Sequence, residues 1–262
     1  MRSILIFYIF IFSSCSTEYI LESSTNEVLS TSITEDKYIN QIIKPYKAGV
    51  DSIMNEVLCF SKKEMKKGKP EGVLGNFVTD LCLKMYDSIA EICVMNNGGF
   101  RSFLPSGNIT RGDIYKLMPF ENELVVIELN SSELFELIGY IYSRKGEPIS
   151  GVKMYSEDSC MILSNRNIFY KKGNNIFRSE PVIASSCSDE EEVNVIRIIN
   201  KTDKISVLTS DYLANGGDKM IFFNNKEQYK LGIKLRDAII AYCKMKKEIS
   251  SGLDNRIQII KQ

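Results

Sequence analysis

Tyr212-Leu213-Ala214-Asn215-Gly216-Gly217-Asp218 follows closely on Ile205-Ser206-Val207-Leu208-Thr209, an alternating, β-branched run. A period of two predicts a strand there, and the seven residues then form its exit loop. Paired glycines let backbone turn through positive φ or approach a ligand, where a Cβ interferes. The tyrosine offers a stacking face, and Asp218 a carboxylate able to accept two hydroxyl hydrogens. On these residues alone, a tight turn with a core tyrosine and a capping aspartate stands equally well.

A second stretch repeats the arrangement. Glu91-Ile92-Cys93-Val94-Met95 is a short apolar strand that opens into Asn96-Asn97-Gly98-Gly99-Phe100-Arg101. Arg101 brings a guanidinium suited to bidentate contact with phosphate or ribose oxygens. Leu117-Met118-Pro119-Phe120-Glu121-Asn122 then sets another aromatic in a loop before a strand at Glu123–Leu129. Together the three segments resemble the C-terminal, substrate-binding domain of the 5′-nucleotidase family. Its pattern runs N-x-G-G-[IF]-R, P-F-x-N and [FY]-L-A-N-G-G-D, in this order and at comparable spacing. Glu71-Gly72-Val73-Leu74-Gly75-Asn76-Phe77-Val78-Thr79-Asp80 is similar to the E-x-x-L-G-N-L-x-x-D helix of the same family.

The resemblance extends from about Pro45 to Ile257. It implies an α/β (α+β) class fold, a layered αββα domain with a mixed sheet. By position, Phe120 and Tyr212 sandwich a base, Asp218 accepts ribose hydroxyls, and Asn96 meets base or sugar. Arg101 reaches the ribose and phosphate side. Gly98, Gly99, Asn122, Asn215, Gly216 and Gly217 complete the implied substrate-binding set. A further family arginine falls here on Gly68, beside point charges at Lys66, Lys67 and Lys69, and Val73 stands where many relatives carry Asn.

Ahead of the domain, Arg2 precedes Ile4–Phe12, nine apolar residues, too few to span a bilayer as a helix. Ser13 and Ser14 stand directly before Cys15. This resembles a bacterial lipoprotein signal: residues 1–14 form the signal peptide and Cys15 becomes the lipidated N-terminus. An ordinary secretory signal is the alternative. Residues 15–44, rich in Ser, Thr, Asn and Glu, predict a membrane tether with a short helix near Asp36–Ile43. The domain is expected over residues 45–262, on an exported, membrane-anchored chain, periplasmic or on the outer-membrane side.

Within the domain, helices are expected from Pro45 to about Glu56, over Glu71–Tyr86, after the Asn130/Glu133 N-cap pair, and over Ile233–Lys244. Glu71 is placed to favour its helix dipole. Strands are expected at Val57–Phe60, Gly151–Tyr155, Cys160–Leu163, Ile168–Tyr170 and Val193–Ile199, with an exposed hairpin or insertion over Lys171–Glu192. Leu124–Leu129 is apolar on both faces at its start, as in a strand covered on both sides. Six cysteines follow Cys15; most lie in apolar runs as small core residues, and Cys187 is the most exposed by context. Their spacing gives neither a disulfide framework nor a metal pattern.

Charge and composition exclude several roles. Loss of Arg2 takes the 33 basic residues to 32 against 33 acidic ones, a balance that gives no support for nucleic-acid binding. The 262 residues contain no histidine. The family's two-metal centre uses His with Asp and Asn, and its catalytic dyad pairs His with Asp. No catalytic residue, metal ligand or cofactor is therefore expected in this chain, and divalent metals are expected in a partner phosphatase. Three readings follow: the binding half of a split nucleotidase completed by a separate metallophosphatase polypeptide, a non-catalytic nucleotide- or nucleoside-binding lipoprotein, or a structural lipoprotein with a vestigial site.

Overall fold

The structure, a computed structural model, describes residues 35–155, 160–163, 168–172, 175–179, 196–198 and 204–258. The signal peptide, Cys15, the acidic run near 190 and Cys187 lie outside them. Contacts divide the chain into residues 1–44 and 45–262. In the first unit the Asp36 carboxylate accepts the amides of Tyr38 (2.8 Å) and Ile39 (3.1 Å). This Asx cap opens α1 (Lys37–Met54), which contains Pro45 and has no buried residue. The two helices expected near Asp36 and from Pro45 are thus one element. Proline costs a helix one hydrogen bond, yet its φ is already helical.

In chain order the second unit continues with β1 (Val57–Ser61), α2 (Val73–Met85), β2 (Ile92–Val94), β3 (Gly107–Thr110), α3 (Arg111–Leu117), β4 (Glu123–Asn130) and α4 (Ser131–Ser143). There follow β5 (Ile149–Ser150), β6 (Val152–Tyr155), β7 (Cys160–Leu163), β8 (Ile168–Lys172), β9 (Asn175–Ser179), β10 (Ile196–Ile198), β11 (Lys204–Ser210) and α5 (Asp211–Ala214). The last elements are β12 (Tyr229–Lys234), α6 (Leu235–Lys246), β13 (Glu248–Ile249) and β14 (Ile257–Gln258). The described residues thus form a mixed α/β fold.

Its centre is a five-stranded sheet in the order β12-β4-β11-β2-β5. Along β4, Leu124 and Val126 pack into one apolar cluster with residues of α2, α3 and α6. Val125, Ile127 and Leu129 pack into a second with residues of α4 and α5. Both faces are covered, which is why the strand reads as continuously apolar rather than alternating. A three-stranded sheet (β13-β1-β3) and a six-stranded sheet (β10-β9-β8-β7-β6-β14) complete the unit. Of the exposed hairpin or insertion expected over Lys171–Glu192, the described residues include the end of β8 and all of β9, which pair antiparallel; the rest lies outside them. Cys59, Cys82, Cys93 and Cys243 are buried free thiols, as their apolar runs indicate. Burial, and then a hydrogen bond with Cys82, pushes the Cys93 thiol well up.

Local signals fix several boundaries. Asn130 and Glu133 form a reciprocal capping box at α4, and Thr110 with Asp113 forms another at α3. One expected role changes. α2 begins at Val73 behind an uncapped Gly72, so Glu71 lies outside the helix. Its carboxylate instead accepts from Asn76 Nδ2 (3.0 Å) and the Asp254 (3.3 Å) and Ile257 (3.2 Å) amides. It ties the C-terminal segment down rather than serving a dipole.

The sheet's topology sets the site. β11 runs parallel to β2, with Val207 opposite Ile92, so the segments that leave both strands emerge at the same end. β4 is antiparallel to β11, with Leu124 opposite Ser210, so the segment entering β4 arrives there too. All three motif loops therefore gather at one end of the central sheet, beyond the carboxyl ends of two parallel strands.

Candidate functional site

Loop one, Asn96–Arg101, begins where β2 stops. Gly98 lies against the site: a Cβ there would stand 3.3 Å from Asn96 Nδ2 and 3.4 Å from Asp218 Oδ2. At Gly99 a Cβ would come within 2.8 Å of Asn96 Oδ1. The two glycines thus leave room for the Asn96 amide, which donates to Asp218 Oδ2 at 2.5 Å. The Arg101 amide donates to Leu117 O at 2.8 Å, joining loop one to loop two.

Loop two, Leu117–Asn122, is pinned from behind. Leu235 N donates to Asn122 O at 2.9 Å. Glu121 pairs with Lys234 and, at 2.5 Å, with Arg236. These two cations hold the Glu121 carboxyl below the usual carboxylate range. Phe120 remains 39% exposed, and the Arg101 guanidinium stands 5.9 Å from its ring centroid, a cation–π arrangement.

Loop three is more ordered than an exit loop. Ser210 Oγ accepts the Leu213 amide and caps one helical turn, α5. Gly216 then adopts φ +83 and Asp218 φ +51, left-handed backbone that glycine, asparagine and aspartate tolerate best. Gly217 has no space for a side chain, because a Cβ would lie 2.5 Å from Tyr212 Cε1. The Tyr212 ring therefore rests on Gly217 and is 46% exposed. Its hydroxyl donates to Asp218 Oδ1 (3.2 Å) and accepts from the Asp218 amide (3.2 Å). Glu123 N donates to Asp211 Oδ1 at 3.1 Å and links loop two to loop three.

Asn96, Gly98, Gly99, Tyr212, Gly217 and Asp218 are thus brought together, as are Arg101 and Phe120. Asn215 is turned elsewhere, its Oδ1 accepting from Gln228 Nε2 at 2.9 Å, and Gly216 acts through its φ. Asn122 contributes its main-chain carbonyl to loop anchoring. Sequence reasoning missed the Tyr212 hydroxyl contact with Asp218, whose backbone is left-handed. It also missed Glu147, 1% exposed, which accepts the Asn97 amide at 2.7 Å. Of the three lysines near Gly68, Lys67 reaches loop one, donating to Phe100 O at 2.9 Å. No longer residue fits at 68, where a Cβ would meet Glu71 O at 2.4 Å.

A groove lined by Val126, Glu128, Asn130, Lys204, Ser206 and Tyr229 lies toward the other end of β4 and β11. Two ion pairs lie along it, Lys204 with Glu128 and Lys226 with Glu133 at 2.6 Å. The three-loop end carries the convergent polar groups and half-exposed rings instead. Among the described residues no group of three or more His, Cys, Asp or Glu side chains is placed to hold a metal ion. The donor set of the described residues therefore does not fit a two-metal centre.

An α/β domain whose three loops gather a carboxylate and two half-exposed rings at one sheet end has the layout of a ligand-binding module. Residues 53–158 match the family described as 5′-nucleotidase, C-terminal domain. An apyrase of Tabanus yao is 25% identical over 254 residues, 88% of this chain and 43% of the apyrase. A 5′-nucleotidase of Vibrio cholerae is 22% identical over 130 residues, 47% of this chain and 23% of that protein. The crystal structure of a 5′-nucleotidase precursor from Thermus thermophilus superposes with a TM-score of 0.63 at 21% identity, covering 87% of this chain and 44% of that one. Over residues 53–158 in sequence, and over most of its described fold, the chain is similar to 5′-nucleotidase C-terminal domains. It spans less than half the length of these relatives.

Proposed function

We propose that the three-loop end binds a nucleoside or nucleotide and supplies base and ribose recognition for phosphate-ester hydrolysis in nucleotide catabolism. The observation that carries this reading is the bonding of Asp218. A carboxylate offers about four lone-pair sites. Tyr212 Oη uses one on Oδ1 and Asn96 Nδ2 one on Oδ2, which leaves a free site on each oxygen. The vicinal 2′,3′ hydroxyls of a ribose present two donors to match. Phe120 and Tyr212 supply the stacking faces for the base, and Arg101 the charge for the ribose and phosphate side. The relatives' names, apyrase and 5′-nucleotidase, fit a nucleotide ligand.

We assign the hydrolytic step to a separate two-metal phosphatase polypeptide, which would hold the divalent metals. The support is the donor set: no histidine occurs in the 262 residues, and such chemistry needs ligands that fix two cations around the phosphoryl group. Calorimetry tests the binding half. Asp218→Asn should weaken adenosine about tenfold or more while moving 2′,3′-dideoxyadenosine by less than about twofold. Equal losses for both ligands would sink the diol assignment.

We further propose that the chain is exported and held by a lipid-modified Cys15, on the support of the nine apolar residues Ile4–Phe12 followed by Ser13-Ser14-Cys15. Cys15→Ala should then appear in the soluble exported fraction or remain unprocessed, as followed by fractionation and mass spectrometry of the N-terminus. A processed variant that stays on the membrane counts against the anchor.

A further inference from the structure

The Asn96–Asp218 contact joins residues from two loops, and a single turn of chain behind it holds both. Tyr140 lies in the last turns of α4, and its hydroxyl donates to the Asp218 main-chain carbonyl at 2.9 Å. The Tyr140 ring is itself fixed, edge-on to Phe222 at 6.0 Å between centroids and with the Arg144 guanidinium 5.8 Å from its centroid. Arg144 Nε donates to Glu147 Oε1 at 3.2 Å, and Lys69 Nζ lies 3.9 Å from the same oxygen. The other Glu147 oxygen, Oε2, accepts the amide of Asn97 at 2.7 Å, next to Asn96.

Two features argue that this is more than packing. Glu147 is a buried carboxylate, and a buried charge is costly unless it is paired and hydrogen-bonded. Here its partners are two cations and one backbone amide of loop one. Asp218 sits at φ +51, left-handed backbone that is uncommon outside glycine even though aspartate tolerates it better than most residues. Tyr140 grips the carbonyl of that very residue. Lys145 (φ +60) and Gly146 (φ +105) turn the chain between Arg144 and Glu147. A Cβ at 146 would come within 2.0 Å of Pro70 O, so the turn is closely confined.

Given the nucleoside reading above, on which it rests, we infer that Tyr140, Arg144 and Glu147 are positioning residues of the diol site, a bracket that sets the Asn96–Asp218 geometry. Tyr140 fixes the loop that carries the carboxylate, Glu147 fixes the loop that carries the amide, and Arg144 joins the two. None of the three needs to touch the ligand. Their effect is on discrimination, because misplacing Asp218 costs only ligands that present hydroxyls to it.

The test is calorimetry of the whole chain with adenosine and 2′,3′-dideoxyadenosine, on wild type, Tyr140→Phe and Glu147→Gln, with a thermal melt of each. The ratio of the two affinities is the readout, since a purely structural loss lowers both together. Each variant should reduce the ratio about tenfold and leave dideoxyadenosine within about twofold. In Asp218→Asn, adding Tyr140→Phe should lower the ratio no further, because the two act on one contact. Should Glu147→Gln fail to fold, Tyr140→Phe carries the test, since it deletes one hydroxyl from a half-buried ring. Ratios unchanged from wild type, or equal losses for both ligands, overturn the bracket. A wild-type protein that does not prefer adenosine overturns the nucleoside reading and the bracket with it.

Discussion

Tyr212→Ala should weaken adenosine about ten- to a hundredfold, the about 1–3 kcal/mol that one stacking ring contributes. The melting temperature should barely move, because the ring is close to half exposed and rests on Gly217 rather than in either apolar cluster. A core tyrosine would behave otherwise, costing about 3–5 kcal/mol of folding free energy on truncation. Tyr212→Phe separates the ring's two roles. It keeps the stacking face and loses the hydroxyl that holds Asp218 Oδ1. That hydrogen bond is worth about 0.5–1.5 kcal/mol, so adenosine should weaken about two- to tenfold and the dideoxy analogue hardly at all. Calorimetry beside thermal melts reads all of these. Intact binding with a collapsed melt in Tyr212→Ala would return the residue to the core.

The largest expected loss of stability lies at Arg256, which is 7% exposed. Its Nη1 and Nη2 fork onto the two Asp80 oxygens at 2.7 and 3.0 Å. Nε and Nη2 reach Asp254 at 2.8 and 3.0 Å, and Nη1 also donates to Ile149 O at 3.0 Å. The guanidinium thus joins α2, β5 and the segment that leads into β14. Removing one partner of a buried pair costs about 3–5 kcal/mol. Asp80 and Asp254 are about half exposed and can rehydrate, so Arg256→Ala should fall near the lower figure of about 3 kcal/mol. The hydrogen bond from Arg256 holds the Asp254 carboxyl below its usual range. A carboxylate with a depressed folded-state pKa gives its full stabilisation above the unfolded value, about 3.9, and loses it as pH falls through the folded one. The gap between wild type and Arg256→Ala should therefore be full at pH 7 and narrow below about pH 4. Urea unfolding at both pH values checks it, and a gap of the same size at both would contradict the pairing.

The elements easiest to read in the sequence were those whose signals are local. The doubly apolar start of β4 announced a strand covered on both faces, and Asn130 with Glu133 announced the start of α4 through a capping pair three residues apart. The glycines of loops one and three pointed to positive φ or close approach to a ligand; Gly216 takes φ +83, and Gly98, Gly99 and Gly217 lie against the side chains of Asn96, Asp218 and Tyr212. What stayed hidden depends on pairing across long separations. Glu71 looked like a dipole residue because its amide partners, Asp254 and Ile257, lie 183 and 186 positions away. Glu147 sits in a stretch with no periodic pattern, and nothing near it in sequence reveals that it holds Asn97, 50 positions back. The Tyr212 hydroxyl escaped notice because its contact depends on the fold of the Gly216–Asp218 turn, which no periodic pattern marks.

The parallel pairing of β2 with β11 has a consequence for how the chain matures. Loops one and two are both in place by residue 122, whereas loop three begins only at residue 211, so a ribosome releases the Asn96 amide well before its carboxylate partner. Bringing Ile92 beside Val207 closes a long loop, and contacts of that separation form slowly. Asn96, already buried in the finished domain, waits through that interval without the group it is folded to meet. The three-loop end is therefore assembled late, and its occupancy by ligand reports that loop three, which opens the last fifth of the chain, has docked.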